Sequence, residues 1–596
     1  MKQENNSTPS ILSAVQKLRE LLTREEKIKW LGIAGLALAV SILEVVTASA
    51  IVVFAQVLND PSVGQKYFQK IGITENLSPG KTVFYVAIAV GVIYLVKNLI
   101  AATEVFFQNF SIQKMCHEFK NKLLHRYAKA DYGFYLTRNS YFGIQLIGGD
   151  VEQTFSNGLT PLVGIISESI IFIFLISFIT YLNPSLALVV FSAVLMTSIV
   201  FSKKLLPKFY NWGIELQSSG LEAGQSLMHF FHAFKEISLH GKIDFFIRKH
   251  QESSIKKARI QAIQFTGNAL PKIILEFLFV SIFVVSICYL CLTKESPMSM
   301  IGILAGYLYI GFRLMPGLNR IIGYSNMLKS SIPFISRVYE EYKNISSPNG
   351  TQDVNEFRFE HSINFENVSF SYIKSNKEVL SNIKLNIKKG ECLGIVGETG
   401  SGKSTLIDLL LGLLRPVKGS VLIDNKYPAN SLQWHQKIGY VPQSIYLLDS
   451  NIEQNIAFGE ENIDKDKLNQ AIDAAQLRKF VNSLPDGTKT LVGERGVCLS
   501  GGERQRITIA RALYRNPEVL IFDEATSGLD SETESRLMET INSVKKERTV
   551  IMIAHRITTL KGCDRIIQIK EGDFKSIDSY EDLHILNNEM EQYAKA

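Results

Sequence analysis

Cysteine is scarce in this chain of 596 residues: the six are scattered, and only Cys288 and Cys291 stand close together. That pair lies in an apolar run, and no second pair completes the set of ligands a zinc site needs. Charge is also thin, with Asp, Glu, Lys and Arg making up 20% of the chain against about 25% in soluble domains. The excess of 64 basic over 57 acidic residues gives only +7. No segment concentrates it, so no nucleic-acid partner is expected. Hydrophobic residues reach 46% and mean hydropathy is +0.10, which argues against both disorder and a wholly soluble chain. At about 150 residues per domain the length argues against a single globule, and the whole chain shows no internal repeat.

What is abundant is long apolar sequence. Residues 1–29 are polar and end in a charged stretch from Thr23 to Lys29; residues 30–58 are then apolar, with Glu44 as their one charge. A bilayer needs about 20 such residues, whereas the core of a cleaved leader has about 7–15, so this run reads as a retained anchor helix. Further runs at 83–107, 159–182, 186–201, 273–292 and 300–315 bring the expectation to six spanning helices, with Asn183-Pro184 and Ser296-Pro297 as turns. Even parity puts residues 1–29 and everything after about 330 on one side. The Lys and Arg of the N-terminal tail make that side the cytoplasm.

The connections 108–158 and 202–270 are long, charged and mostly free of Gly/Pro breaks. At about 1.5 Å of rise per residue they predict helices running far beyond the bilayer as intracellular hairpins. Aromatic clusters, Tyr132-Gly-Phe-Tyr135 and Phe230-Phe-His-Ala-Phe234, fall where such hairpins turn. After Tyr342 comes a polar, turn-rich stretch, and from about 358 short strand-like runs alternate with helical ones, the pattern of a parallel sheet wrapped by helices. The expected organisation is a cytoplasmic segment (1–29), a six-helix transmembrane domain (30–330), a linker (331–357) and an α/β nucleotide-binding domain (358–596).

Gly397, Glu398, Thr399, Gly400, Ser401, Gly402, Lys403, Ser404 and Thr405 follow an apolar strand and open a helical run. That strand–loop–helix setting is the one a phosphate loop requires. Its glycines let successive backbone N–H groups curl around phosphate oxygens, Lys403 adds a cation for the β/γ-phosphates, and the Ser404 hydroxyl reaches Mg²⁺. Val519-Leu-Ile-Phe-Asp-Glu524 is a second buried strand, ending in two carboxylates. Asp523 is placed to hold the Mg²⁺ shell and Glu524 to polarise the attacking water.

Leu499-Ser-Gly-Gly-Glu503, just before that strand, resembles the signature motif of ATP-binding cassette (ABC) proteins, and the resemblance extends over nearly the whole chain. It implies an exporter fold, with ATP and Mg²⁺ as cofactors and hydrolysis coupled to transport. Tyr372 looks like the aromatic that stacks on adenine, Gln443 in Tyr-Val-Pro-Gln like the Q-loop glutamine that also reaches the metal, and Ser527-Gly-Leu-Asp530 like the D-loop. His555 is similar to the switch histidine at the γ-phosphate. The segments 491–496 and 451–459 resemble stretches of the exporter branch. Glu503 stands where glutamine is usual, which leaves Ser500, Gly501 and Gly502 free to meet the γ-phosphate; Gly528 replaces a commoner alanine. Because the family sandwiches ATP between one cassette's phosphate loop and another's signature, the resemblance implies a homodimer working by alternating access.

The membrane helices carry charges that are costly there and mark either a cavity or a pair. Arg313 and Arg320 are seven positions apart on one helical face; Lys272, Glu276, Glu44 and Glu168 lie in other spans. One reading pairs Lys272 with Glu276 and the arginines with Glu44 or Glu168. The other makes Arg313, Arg320 and Lys272 an anion site, since guanidinium groups bind phosphate oxygens bidentately. The segments 312–322 and 270–276 resemble those of bacterial flippases for lipid-linked oligosaccharides, which implies an amphiphilic, anionic lipid-linked glycan as substrate and the cell inner membrane as location. An exporter of peptides, drugs or other lipids is the alternative, and a membrane-bound ATPase without active transport a further one.

Overall fold

The computed structural model describes residues 10–70, 78–182, 198–292, 297–345, 357–372, 377–525, 548–554, 557–570 and 572–577, with isolated positions between 183 and 197 and between 526 and 547. Two compact units result, one from Met1–Lys129 with Arg138–Ser346, the other from Ala130–Thr137 with Ser347–Ala596.

The first unit is helical. A short amphipathic helix, Ile11–Leu21, is started by Ser10, whose hydroxyl accepts from the Ser13 N–H; its buried face carries Ala14, Leu18 and Leu21. The next helix, Arg24–Asn59, opens with a capping box in which Thr23 and Glu26 satisfy each other's backbone N–H groups. Pro79–Ala128 and Ile243–Leu292 each run 50 residues, and Pro297–Asn344 runs 48. At about 1.5 Å per residue each exceeds 70 Å, more than twice the ~30 Å hydrocarbon core, as the charged extensions predict. Among the described residues four helices are long and apolar enough to cross a membrane: Arg24–Leu58, Pro79–Ala128, Ser140–Phe174 and Ile243–Val285. The predicted run 186–201 and the turn at Asn183-Pro184 fall mostly outside the described residues. Pro297–Asn344 passes unbroken through 300–315, although the side chains before Leu314 lie outside them.

Two details differ from the composition-based expectation. The last long helix continues beyond 331, because Ile332, Ile335 and Val338 keep its buried stripe in phase. The connection 108–158 is less uniform than a plain hairpin: after Ala128 it breaks into short helices, Tyr132–Leu136 and Ser140–Gln145, and then winds through π-turns at Leu146–Asp150 and Phe155–Leu159. The other aromatic cluster does mark a bend, the chain kinking at Ala233 between helices Leu206–His232 and Phe234–Leu239.

Among the described residues the second unit holds ten strands: β1 Ser362–Phe370, β2 Leu380–Lys388, β3 Cys392–Gly397, β4 Lys418–Ile423, β5 Tyr427–Pro428, β6 Ile438–Val441, β7 Val519–Asp523, β8 Thr549–Ile553, β9 Arg565–Lys570 and β10 Asp573–Ile577. An antiparallel sheet runs β2-β1-β4-β5, and a largely parallel one runs β10-β9-β3-β8-β7-β6. The parallel strands are covered on both faces, which is why β7 and β8 are apolar without alternation. Along β7, Val519 and Ile521 enter one core while Leu520 and Phe522 enter the other. The carboxyl ends of β3 and β7 thereby meet at one edge with β8 between them, where open α/β sheets place their ligands.

Candidate nucleotide site

The loop after β3 is built by glycine. Gly400 and Gly402 have φ of +83° and +110°, which side chains rarely adopt. A Cβ on Gly402 would stand 2.8 Å from Leu380, whereas one on Gly400 would meet nothing within 4 Å, so the loop is tight behind and open in front. The helix Lys403–Leu410 follows at once. Lys403 is buried, and its Nζ donates to the carbonyls of Gly397 (2.8 Å) and Glu398 (2.9 Å). The Ser401 hydroxyl is buried with no hydrogen-bond partner. An open cradle, an unsatisfied buried hydroxyl and a cation held only by neutral carbonyls together fit a phosphate. Ser404 is exposed at the helix start. The Tyr372 hydroxyl lies 2.9 Å from that of Thr405, which brings this aromatic to the loop.

Asp523 ends β7 almost fully buried, and its Oδ2 accepts from the Tyr440 hydroxyl at 3.2 Å. Burial pushes its carboxyl up, and the neighbouring Glu524 adds to this, while Tyr440 and Lys403 oppose it. Glu524 sits at φ +50°, an uncommon conformation for a glutamate that tends to mark functional positions. Its Oε2 accepts from Gln443 Nε2 at 2.5 Å. Ser404, Asp523 and the Gln443 amide carbonyl supply hard oxygen donors of the kind Mg²⁺ prefers. Asp408, on the helix after the loop, is raised to about 6 by burial and by the charge of Asp523.

The helix Gly501–Tyr514 begins with Ser500 as its cap. The Ser500 hydroxyl accepts from the Glu503 N–H (3.3 Å) and the Glu503 carboxylate accepts from the Ser500 N–H (2.7 Å), while Gly501 is exposed. The unusual glutamate thus has a structural account, as half of a capping box. Further along, Arg511 is fastened to Asn455 and to the Tyr446 carbonyl by three hydrogen bonds. The segment Ala130–Thr137 also belongs to this unit: Asp131 pairs with Arg415 at 3.5 Å.

Not every sequence-predicted residue can be placed. His555, Asp530 and the side chain of Arg313 lie outside the described residues. Arg320 holds Glu168 bidentately, Nε to Oε1 at 2.6 Å and Nη2 to Oε2 at 3.0 Å. Lys272 and Glu276 are 3.8 Å apart and both exposed. Glu44 is paired with Lys97 at 2.9 Å, a cation that the apolar run 83–107 conceals. Tyr440 and Asp408 are the other participants that sequence reasoning missed: Tyr440 stands in the Tyr-Val-Pro-Gln stretch but only its glutamine was given a role, and Asp408 lies beyond the phosphate loop.

Comparison with known proteins agrees with this geometry. The family model for ABC transporters matches residues 380–527. The ATP-binding/permease protein YgaD of Bacillus subtilis (strain 168), named for multidrug export, is 30% identical over 499 residues, covering 80% of this chain and 83% of that protein. An ATP-dependent lipid A-core flippase of Alkalilimnicola ehrlichii is 31% identical over 432 residues, 71% of this chain and 72% of the flippase. A solved structure of a bacterial Atm1-family ABC exporter with ATP bound shares the fold, with a TM-score of 0.74 and 22% identity over 96% of this chain and 98% of the other. The chain belongs to the ABC transporter family. It is an exporter half-transporter, one helical membrane unit and one cassette, in which ATP hydrolysis drives transport.

Proposed function

We propose that this chain acts as a homodimer in the cell inner membrane, with its cassettes in the cytoplasm, and flips a lipid-linked (polyprenyl-pyrophosphate) oligosaccharide from the inner to the outer leaflet. The observation that carries the reading is the Arg320 fork. It grips a carboxylate in the planar, bidentate geometry that a phosphate would take, and its side chain keeps 39% of its surface exposed. Arg313, seven positions earlier, supplies a second guanidinium on the same helical face, and Lys272 a third cation. Two relatives named ATP-dependent lipid A-core flippases support a lipid as cargo.

In the cassette, the phosphate-loop N–H groups receive the β- and γ-phosphates, and Lys403 turns from its two carbonyls to their oxygens. Ser404, Asp523 and Gln443 would hold Mg²⁺, which when bound would neutralise phosphate charge. Tyr372 stacks on the adenine, His555 contacts the γ-phosphate, and Glu524 accepts the proton of the attacking water. The site is completed by a second copy presenting Ser500, Gly501, Gly502 and Glu503 of its signature, with Asp530 nearby. The segment 130–137 and the bend at Ala233 transmit closure to the helices.

The test reconstitutes the protein in liposomes with a short-chain polyprenyl-pyrophosphate sugar and follows ATP-dependent leaflet exposure, with Glu524→Gln as control. Flipping by the intact protein, lost in the control and in an Arg313/Arg320 double alanine variant that still binds nucleotide, is the expected result. ATP turnover with a stationary lipid would overturn the cargo assignment. It would favour the alternative of drug or peptide export, which the closed Arg320–Glu168 and Lys97–Glu44 pairs, leaving no net charge, would equally serve.

A further inference from the structure

We propose that Tyr440 is a positioning residue for the cation site, its hydroxyl fixing the Asp523 carboxylate so that one oxygen is tethered and the other is presented to Mg²⁺. The register of the sheet puts it there. Tyr440 of β6 stands beside Ile521 of β7, and Asp523 lies two residues further along the same face. The hydroxyl reaches Asp523 Oδ2 at 3.2 Å and, among the described residues, is the one side-chain donor that the structure gives this carboxylate.

Orientation matters here because Asp523 is nearly fully buried and feels the charge of the neighbouring Glu524. Without the Tyr440 donor that repulsion would bias the rotamer, since Lys403 acts on this carboxylate only as a nearby charge. Three positions after Tyr440, the Gln443 amide engages Glu524 in the same manner. One strand end therefore clasps two consecutive carboxylates with different jobs. Groups that hydrogen-bond a metal ligand typically alter affinity for the metal by about 10–100-fold, and a carboxylate tethered at one oxygen keeps its other lone pairs for the cation.

The inference rests on reading Asp523 as a cation ligand, and the experiment separates the two. Full-length protein in nanodiscs is saturated with the non-hydrolysable β,γ-imido analogue of ATP and titrated with Mn²⁺, free ion being read from its paramagnetic resonance spectrum. Tyr440→Phe keeps the ring and its packing. Its Mn²⁺ dissociation constant is expected to rise about tenfold, with analogue affinity in chelator unchanged. Added to Asp523→Asn, it should weaken Mn²⁺ binding no further. If Asp523→Asn weakens Mn²⁺ binding and Tyr440→Phe does not, the positioning role is overturned while the ligand reading stands. If Asp523→Asn has no effect, the ligand reading itself fails and the inference with it. Equal loss of analogue binding in chelator would mark Tyr440 as a packing residue and overturn the proposal as well.

Discussion

The helical unit and the cassette treat buried charge in opposite ways. In the helices, Lys97 is closed by Glu44 with both side chains only 10% exposed, and Arg320 is closed by Glu168. In the cassette, Lys403 is equally buried but holds only carbonyls, and Ser401 beside it has no partner. A pair formed in a low-dielectric setting is self-sufficient, and separating it leaves an uncompensated charge. A cation resting on neutral dipoles keeps its full charge for an incoming anion. The cassette is thus built incomplete, to be finished by a ligand, whereas Lys97 with Glu44 and Arg320 with Glu168 are finished by each other.

The largest expected effect probes the incomplete side. Glu524→Gln preserves shape and hydrogen bonding but removes the proton acceptor, so ATP turnover should fall by about 10²–10⁴-fold with nucleotide binding retained. Turnover within tenfold of the wild type, measured by phosphate release, would assign the base elsewhere. Next comes the finished side. Lys97→Met removes the ion-pair partner that Glu44 holds at 2.9 Å and should cost up to about 3–5 kcal/mol, and adding Glu44→Gln should restore most of it. Unfolding measured in detergent checks this; a double variant no more stable than the single would show that the pair is not the unit of stability.

Asp408 gives a smaller, pH-dependent effect. Its carboxyl is raised to about 6 by burial and by Asp523, so between the ordinary value and 6 the folded state binds the proton more tightly than the unfolded chain. That contribution is complete at low pH and is lost as pH rises through about 6. Asp408→Asn should therefore stabilise the nucleotide-free cassette at pH 7.5 by about 1–2 kcal/mol, after allowing for the solvent that still reaches the group. The gain should shrink towards pH 5 in thermal unfolding scans. A variant less stable than the wild type at pH 7.5 would mean that the ionised carboxylate makes a favourable contact instead.

The same contrast explains what could be read from sequence. The phosphate loop and the β7 carboxylates are local patterns whose geometry is fixed within a few residues, and the fully buried strands announce a covered parallel sheet. Of the pairings, the sequence offered Arg320 with Glu44 or Glu168 as one reading, and the structure gives Glu168, but nothing in the sequence pointed to Lys97 for Glu44 or to Tyr440 for Asp523. Glu168 and Arg320 are 152 positions apart, Glu44 and Lys97 53, and Tyr440 and Asp523 83. Only the fold decides such partners. Lys97 was hidden because one cation does not interrupt a long apolar run, and the end of the last helix was misplaced because composition turns polar before the buried stripe ends. Charge alone thus could not distinguish an arginine waiting for phosphate from one already satisfied.

The smallest effect tests the one signature residue that departs from the family pattern. Glu503 accepts from the Ser500 N–H at 2.7 Å while its own N–H reaches the Ser500 hydroxyl, so its carbonyl-type oxygen does the capping and its charge adds only a dipole term. Glutamine offers the same oxygen, so Glu503→Gln should change stability by less than about 0.5 kcal/mol. Glu503→Ala removes the acceptor and should cost about 1 kcal/mol. Thermal unfolding of the nucleotide-free protein distinguishes the two. If glutamine proves as costly as alanine, the charge and not the cap holds the helix start, and this corner of the cassette belongs with the self-satisfied charges of the membrane unit.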